Sequence, residues 1–411
     1  METRRNRYRN KRKQKRRWIF KVALVLLFFI GGFLVYTGYN LFNSIKTGFN
    51  EVENTVSVDP NFKKFSILLM GIDENESRKL EGQTRENSRT DSLIYISVNK
   101  DNNRMDMVSI PRDSLTLMRS SEDKNDKNAY FFDKITHAYA YGGIDGTIEA
   151  TSNLLNAPIN FYAVINFEVF EQVIDSLGGV ELYVPFDMVE QNANGEQGTV
   201  ELKKGWHTLN GEKALAFARS RYYDSDIERG QRQLQVIHAV IDKAKSLNAL
   251  SKVNDLIKIG GDNVTHNMTA SQIMSAASIL INGDVNIVSH RIDGYDAQLN
   301  GIYYYYPRPL HLLYISSVLN NSLGNDIPTK NDILNIYYQG YISPLDKKYK
   351  NKVVKGFKET NLLPVNYVDM YIDDIKTNIP EKLTLGDLAL DPTVSNENKP
   401  IEESNKNNIN N

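Results

Sequence analysis

The chain of 411 residues contains no cysteine. That excludes disulfide staples, thiol nucleophiles and cysteine-ligated metals, so the fold must be held by packing. Also missing are the G-x-x-x-x-G-K-[ST] phosphate loop, the G-x-G-x-x-G fingerprint, the G-x-S-x-G elbow and the H-E-x-x-H helix. Without them nucleotide hydrolysis, redox chemistry and zinc proteolysis have no support. Net charge is nearly absent too, at -1, but this conceals an asymmetry. Through Lys21 there are eleven Lys and Arg against one acid, so the remainder carries about -11. An acidic main domain argues against a nucleic-acid-binding surface.

What is present begins with that basic tail, residues 1–21, followed by an apolar run over 22–40. The run is long enough to cross a bilayer as a helix. Lys21 can snorkel at one end, and Trp18, Tyr36 and Tyr39 mark the interfaces. The positive-inside rule puts the tail in the cytoplasm and the rest of the chain outside. A cleaved signal peptide is the alternative, but the run is bulky and lacks a small-x-small exit, which favours an uncleaved anchor. A polar stalk over 41–61 leads to the main domain, 62–294. A partly helical C-terminal extension over 295–390 and an Asn-, Glu- and Lys-rich tail over 391–411, expected to be disordered, complete the chain.

Within the main domain, residues 65–72 read as a strand buried on both faces, running into Asp73. Arg89 and Asp91 open a second strand to Val98, and residues 104–110 form a third, stopped by Pro111-Arg112-Asp113. Polar groups gathered at strand ends are how open α/β sheets build sites. Further strands are expected at 161–166, 180–184 and 285–292, with helices at 145–155, 168–177, 210–217 and 269–281. Residues 218–233 concentrate the basic chemistry. Arg219 and Arg221 share a side if extended, and Arg229, Arg232 and Gln233 share a face of a helix capped by Ser225 or Asp226.

Asp73 and Asp91 can share a hard cation such as Mg²⁺, which takes one or two carboxylates and completes its shell with water and phosphate. With Arg89 and Arg112 beside them the group is either an internal salt-bridge network or a metal-plus-phosphate clamp. Adding Arg219, Arg221 and Arg229 gives more positive charge than two acids can pair, which favours a bound pyrophosphate. His137, between Tyr139, Tyr141 and a glycine pair, reads as a packed structural histidine, and Trp206 and Phe217 read as core.

These pieces together resemble the LytR–CpsA–Psr family of Gram-positive envelope proteins. The resemblance runs over about 65–247. It rests on Leu68-Leu-Met-Gly-Ile-Asp73, Arg89-Thr-Asp91-Ser, Ser109-Ile-Pro-Arg112-Asp113 and Lys134-Ile-Thr-His137-Ala-Tyr. It also rests on Leu209-Asn-Gly-Glu-Lys-Ala-Leu, Ala218-Arg219-Ser-Arg221-Tyr and Arg229-Gly-Gln-Arg232-Gln233. The resemblance implies an α/β/α sandwich with a central mixed sheet, a single N-terminal transmembrane helix and a greasy tunnel for a polyprenyl chain. It implies transfer of a glycopolymer, teichoic acid or capsular polysaccharide, from undecaprenyl pyrophosphate to a hydroxyl of peptidoglycan. By that likeness Asp73 and Asp91 hold Mg²⁺, while Arg89, Arg112, Arg219, Arg221, Arg229 and Gln233 bind phosphate oxygens. Asp91, Arg112, Arg219 and Arg221 are the catalytic set, with Asp91 or Asp113 as general base. Competing readings are a non-catalytic envelope regulator, a polyprenyl-pyrophosphate hydrolase and a scaffold that captures lipid-linked polymer without turnover.

Overall fold

The computed structural model describes residues 50, 52, 55–59, 61–72, 89–119, 130–193, 195–220, 226–247, 264–299 and 302–328. The expected anchor at 22–40, Asp73, Arg221 and the chain beyond 328 lie outside them. Among the described residues no helix is long and apolar enough to cross a membrane.

Strand β1 (Lys64–Ile72) carries two interleaved apolar sets, and each set meets a different core. Leu68, Met70 and Ile72 point one way, and Phe65, Ile67 and Leu69 the other. Strands β2 (Thr90–Asn99) and β3 (Arg104–Ile110) repeat the pattern, with Leu93, Tyr95, Val108 and Ile110 on the first face. Period-two alternation of two apolar sets is what a sheet covered on both sides requires. Short β4 (Leu115–Arg119) and β5 (Tyr130–Lys134) form a hairpin, and helix α1 (Ala138–Leu155) follows a single 3₁₀ turn. Then come β6 (Phe161–Ile165), α2 (Phe167–Ser176), β7 (Val180–Val184), β8 (Met188–Glu190), β9 (Val200–Leu202) and β10 (Gly205–Leu209). Helices α3 (Gly211–Arg219) and α4 (Asp226–Ser246) precede β11 (Thr265–His266), α5 (Ala270–Asn282) and β12 (Asn286–Arg291). The hairpin β13 (Gly294–Leu299) and β14 (Ile302–Pro307) leads to α6 (Pro309–Leu323).

Six strands make one mixed sheet in the order β11-β6-β1-β2-β3-β12. The β1–β6 and β3–β12 pairs are parallel, and β1–β2, β2–β3 and β6–β11 antiparallel. Helices α1 and α6 cover one face through Ile148, Leu155, Leu312, Ile315 and Leu319. Helices α4 and α5 cover the other through Leu234, Ile241, Ala276 and Ile279. The chain beyond 295, expected as an extension, enters this same core with α6, whose Leu312 and Leu319 are fully buried.

A third core joins α2, α3 and the ribbons β7–β10 and β8–β9 to the outer side of α4. Phe217 lies at its centre, as the sequence implies. Trp206 does not: it is 54% exposed, against the expectation of a core residue. The reason is geometric. Strand β10 belongs to a two-stranded ribbon with one covered face, and its alternation turns Trp206 outward with Tyr183 beside it, ring centroids 5.6 Å apart.

Local signals place the helices. Asn166 caps α2 by accepting from the Val169 amide at 2.9 Å, and Asn210 caps α3 by accepting from Lys213 at 3.1 Å. Thr269 and Gln272 form a reciprocal capping box on α5.

Candidate active site

The antiparallel pairing of β1, β2 and β3 sets the end of β1, the start of β2 and the end of β3 at one edge of the sheet. Ile72 pairs with Thr90, and Leu93 with Ile110. The residues bordering these positions therefore meet although they are distant in sequence. Arg112 donates from Nη1 to Asp91 Oδ1 at 2.7 Å, and its Nε lies 3.6 Å from Asp113 Oδ2. Asp113 also receives Lys134 Nζ at 2.7 Å on its other oxygen. Burial works against the charge on Arg112, but Asp91, Asp113 and Asp226 together outweigh it and hold the guanidinium more firmly protonated than usual.

Helix α4 arrives at the same edge. Ser92 Oγ donates to Gln233 Oε1 at 2.9 Å, which fixes the helix against the first turn of β2. Gln233 reaches back to the Ala218 carbonyl at 3.5 Å, so the ends of α3 and α4 are joined through one side chain. Arg229, with a side chain only 5% exposed, pairs with Asp226 Oδ1 at 2.8 Å. Arg232 turns inward instead, donating to the carbonyls of Phe217 at 3.1 Å and Ser220 at 2.6 Å. It holds the C-terminal end of α3 against α4, while Arg229 and Gln233 serve the edge.

Gly230 permits this close approach of α4 to β3. A Cβ there would fall on the Ser109 hydroxyl and within 3.2 Å of the Ser109 Cβ. Gly230→Ala is expected to cost about 1–3 kcal/mol, as overpacking does, and urea unfolding measures it. Adding Ser109→Ala, which removes the hydroxyl, should recover part of the loss; no recovery would place the cost elsewhere.

Two expectations about the arginines are corrected. Arg219 is not in an extended segment, because α3 carries helical geometry through its last residue, Arg219. Its guanidinium lies over the Phe167 ring at 4.1 Å and donates to the Asn192 carbonyl at 3.4 Å, on the α2 side of the site. The positive surplus is also smaller than anticipated, since Asp113 and Asp226 join Asp91 as partners of the cations. Arg89 precedes β2, and its charge is felt at the Tyr141 phenol. The edge thus gathers Asp91, Arg112, Arg229 and Gln233, with Arg89 and Arg219 to either side, while Asp73 and Arg221 lie outside the described residues.

From the sequence, Asp226 reads only as a helix cap and Lys134 carries no evident role. Asp226 three residues before Arg229 on a helix was a legible signal for an ion pair. Lys134 belongs to the site only because the β4–β5 hairpin turns it back onto Asp113, which no local pattern reveals.

The donors at Asp91 are carboxylate oxygens, and those suit a hard divalent cation. Among the described residues no three acids or histidines cluster as a closed metal cage. Mg²⁺ would need only one or two such carboxylates and would take its remaining ligands from water and phosphate.

Comparison with known proteins shows what this fold and sequence resemble. The LytR_cpsA_psr family model matches residues 33–320. The polyisoprenyl-teichoic acid–peptidoglycan teichoic acid transferase TagT of Bacillus subtilis is 33% identical over 335 residues, 79% of this chain and 100% of TagT. The solved structure of TagT bound to LIIa-WTA superposes with a TM-score of 0.54 at 32% identity, covering 67% of this chain and 99% of that one. TagT with bound octaprenyl pyrophosphate lipid superposes with a TM-score of 0.51 at 30% identity, covering 67% and 99%. The motifs, the mixed sheet flanked by helices and these matches agree: the chain belongs to the LytR–CpsA–Psr family.

Proposed function

We propose that this protein transfers a glycopolymer, teichoic acid or capsular polysaccharide, from undecaprenyl pyrophosphate to a hydroxyl of peptidoglycan. The observation that carries the reading is Arg112, held between Asp91 and Asp113 beside the Asp226–Arg229 pair in a chain that spans the whole of a named transferase. In the reaction the acceptor oxygen bonds to the phosphorus nearest the sugar, and the bridging oxygen leaves with the polyprenyl phosphate. The hydroxyl proton departs to a base. Arg89, Arg112, Arg219, Arg221, Arg229 and Gln233 are assigned to the pyrophosphate oxygens, where fixed donors stabilise charge that water would otherwise have to reorganise around. The carboxylates hold the guanidinium groups in place before substrate arrives. Mg²⁺ bound through Asp91 and Asp73 would supply charge neutralisation at the same oxygens.

The apolar run at 22–40 and the basic tail before it support a single-pass anchor with the catalytic domain outside the cytoplasmic membrane. That would place the site where a membrane-bound donor and the wall both lie. The greasy tunnel implied by family likeness would take the polyprenyl chain.

The test uses the full-length protein in detergent, a short polyprenyl-pyrophosphate-linked glycopolymer and soluble peptidoglycan strands. Polyprenyl phosphate is expected to appear only with acceptor present, together with polymer-linked peptidoglycan. Release at the same rate without acceptor would make the protein a hydrolase, and no release would leave it a binding protein. EDTA is expected to abolish transfer and Mg²⁺ to restore it; undiminished transfer in EDTA would remove the metal from the scheme.

A further inference from the structure

The site described so far has groups for the phosphates but no convincing acceptor for the hydroxyl proton. Asp91 is engaged by Arg112, and Asp113 by Arg112 and Lys134. One turn away, at the junction of β5 and α1, stands a different kind of pair. His137 Nδ1 lies 2.8 Å from Asp133 Oδ2. Asp133 also accepts from its neighbour's amide, Lys134 N, at 2.7 Å, from the Tyr141 hydroxyl at 3.1 Å and from the Tyr304 hydroxyl at 3.4 Å. Burial alone would push the Asp133 carboxyl up. The hydrogen bond and charge of His137 and the bonds from Lys134 N and Tyr141 outweigh it and hold the group below the usual carboxylate range.

An ionised carboxylate only accepts, so Nδ1 of His137 must carry the proton. In the neutral ring that leaves the lone pair on Nε2. No described group hydrogen-bonds to Nε2, and the side chain is 22% exposed. At that exposure Nε2 can be reached by a hydroxyl entering from outside. The ring's position is also tied to the phosphate groups through its neighbour. Thr136 donates from its amide to the Arg112 carbonyl at 3.1 Å and from its hydroxyl to the Thr90 carbonyl at 2.7 Å, next to Arg89 and Asp91.

We propose that His137 is the general base of this site, with Asp133 as its positioning residue: Nε2 takes the proton of the peptidoglycan hydroxyl as that oxygen attacks phosphorus. The inference rests on the transferase reading above. Electrons and protons balance without another reactant. The acceptor O–P bond forms, the bridging O–P bond breaks, the leaving polyprenyl phosphate carries the electron pair, and the imidazolium later loses its proton to solvent. The charged and titratable groups around the ring are Asp133 and Lys134 on β5, Tyr141 on α1, Tyr304 on β14 and Arg89 before β2. Asp133 holds the ring by Nδ1 and turns Nε2 away from itself.

The test compares full-length wild type with His137→Gln and Asp133→Asn. Donor binding and acceptor-dependent transfer are measured separately on the short polyprenyl-pyrophosphate glycopolymer. His137→Gln is expected to leave donor Kd within about twofold and to lower kcat about a hundredfold, the low end for a lost general base. Against a series of small alcohol acceptors, the variant should depend more steeply on hydroxyl acidity than wild type. Asp133→Asn should lower kcat with donor Kd kept. A His137→Gln enzyme with wild-type kcat and an unchanged dependence on acceptor acidity overturns the assignment while leaving the transferase reading intact. A wild type that binds donor yet transfers nothing overturns that reading instead.

Discussion

Arg112→Ala is expected to slow acceptor-dependent transfer by between a hundredfold and a thousandfold while the protein stays folded. The range is that of losing one fixed donor to a charged transition state, about 10²–10³ in rate. One feature of this arginine argues for the upper part of that range, and two argue that the fold is kept. It lies between Asp91 and Asp113 and within the field of Asp226, so its removal deletes a positive charge set among three carboxylates beside the pyrophosphate. Its side chain is 28% exposed, so water can fill the space and no dry cavity results. Its backbone carbonyl still accepts from Thr136, which keeps the turn after β3 in place. Arg112→Lys restores the charge without the planar fork and should recover only part of the rate. Lys203→Ala, at the exposed Lys203–Asp187 pair, is the control and should change nothing measurable. The measurement is polyprenyl phosphate release with peptidoglycan strands, alongside thermal unfolding of each variant. An Arg112→Ala rate within threefold of wild type would remove the phosphate clamp as an explanation of catalysis.

Where sequence and structure agree, the reason is that the information is local. The third strand, Arg104–Ile110, is bounded by Asn102-Asn103 on one side and Pro111 on the other, and both stops are visible in the chain itself. The helix starts at Asn210 and Thr269 were legible for the same reason, since each side chain bonds an amide three residues on. Other features depend on contacts far apart in sequence. The β4–β5 hairpin escapes notice because its strands are five residues each and stand either side of a polar insertion. With it go Lys134 as partner of Asp113 and Asp133 as partner of His137. Arg219 was misplaced because its spacing to Arg221 suits an extended segment, yet Ala214, Ala216 and Ala218 are strong helix formers and carry α3 to its end. Trp206 reads as core by residue type, but burial depends on which face of a ribbon is covered.

A different and larger effect on stability is expected on the far side of the sheet, where Asp106 is completely buried on β3. It accepts Arg104 Nη2 at 2.6 Å and Nε at 2.9 Å on its two oxygens, and lies 2.8 Å from His290 Nε2 on the parallel neighbour β12. Tyr314 of α6 packs edge-on against the His290 ring, so one carboxylate ties β3, β12 and the covering helix together. Removing one member of a buried charged set costs about 3–5 kcal/mol, because the others keep their desolvation without their partner. Asp106→Ala is expected near 3 kcal/mol, the lower end, since Arg104 is 39% exposed and can turn to water. Asp106→Asn keeps the shape and one acceptor and should lose about half as much, in the range of a hydrogen bond to a charged group. The pH dependence has a definite sign. Burial pushes the Asp106 carboxyl up, but the bonds and charges of His290 and Arg104 outweigh it and leave it below its ordinary value. A depressed carboxylate stabilises the fold above its unfolded value, and that contribution disappears as pH falls through the folded one. The stability gap between wild type and Asp106→Asn should therefore be flat from neutral pH down to about pH 5 and narrow below it. Urea unfolding of both chains across that range measures the gap. A gap that fails to narrow below about pH 4 would show that Asp106 is not ionised, and Asp106→Ala unfolding within about 0.5 kcal/mol of wild type would show that it does not hold β12 to β3. Because β3 runs directly from this buried charge to Arg112, the same carboxylate anchors the strand whose other end presents the phosphate-binding arginine.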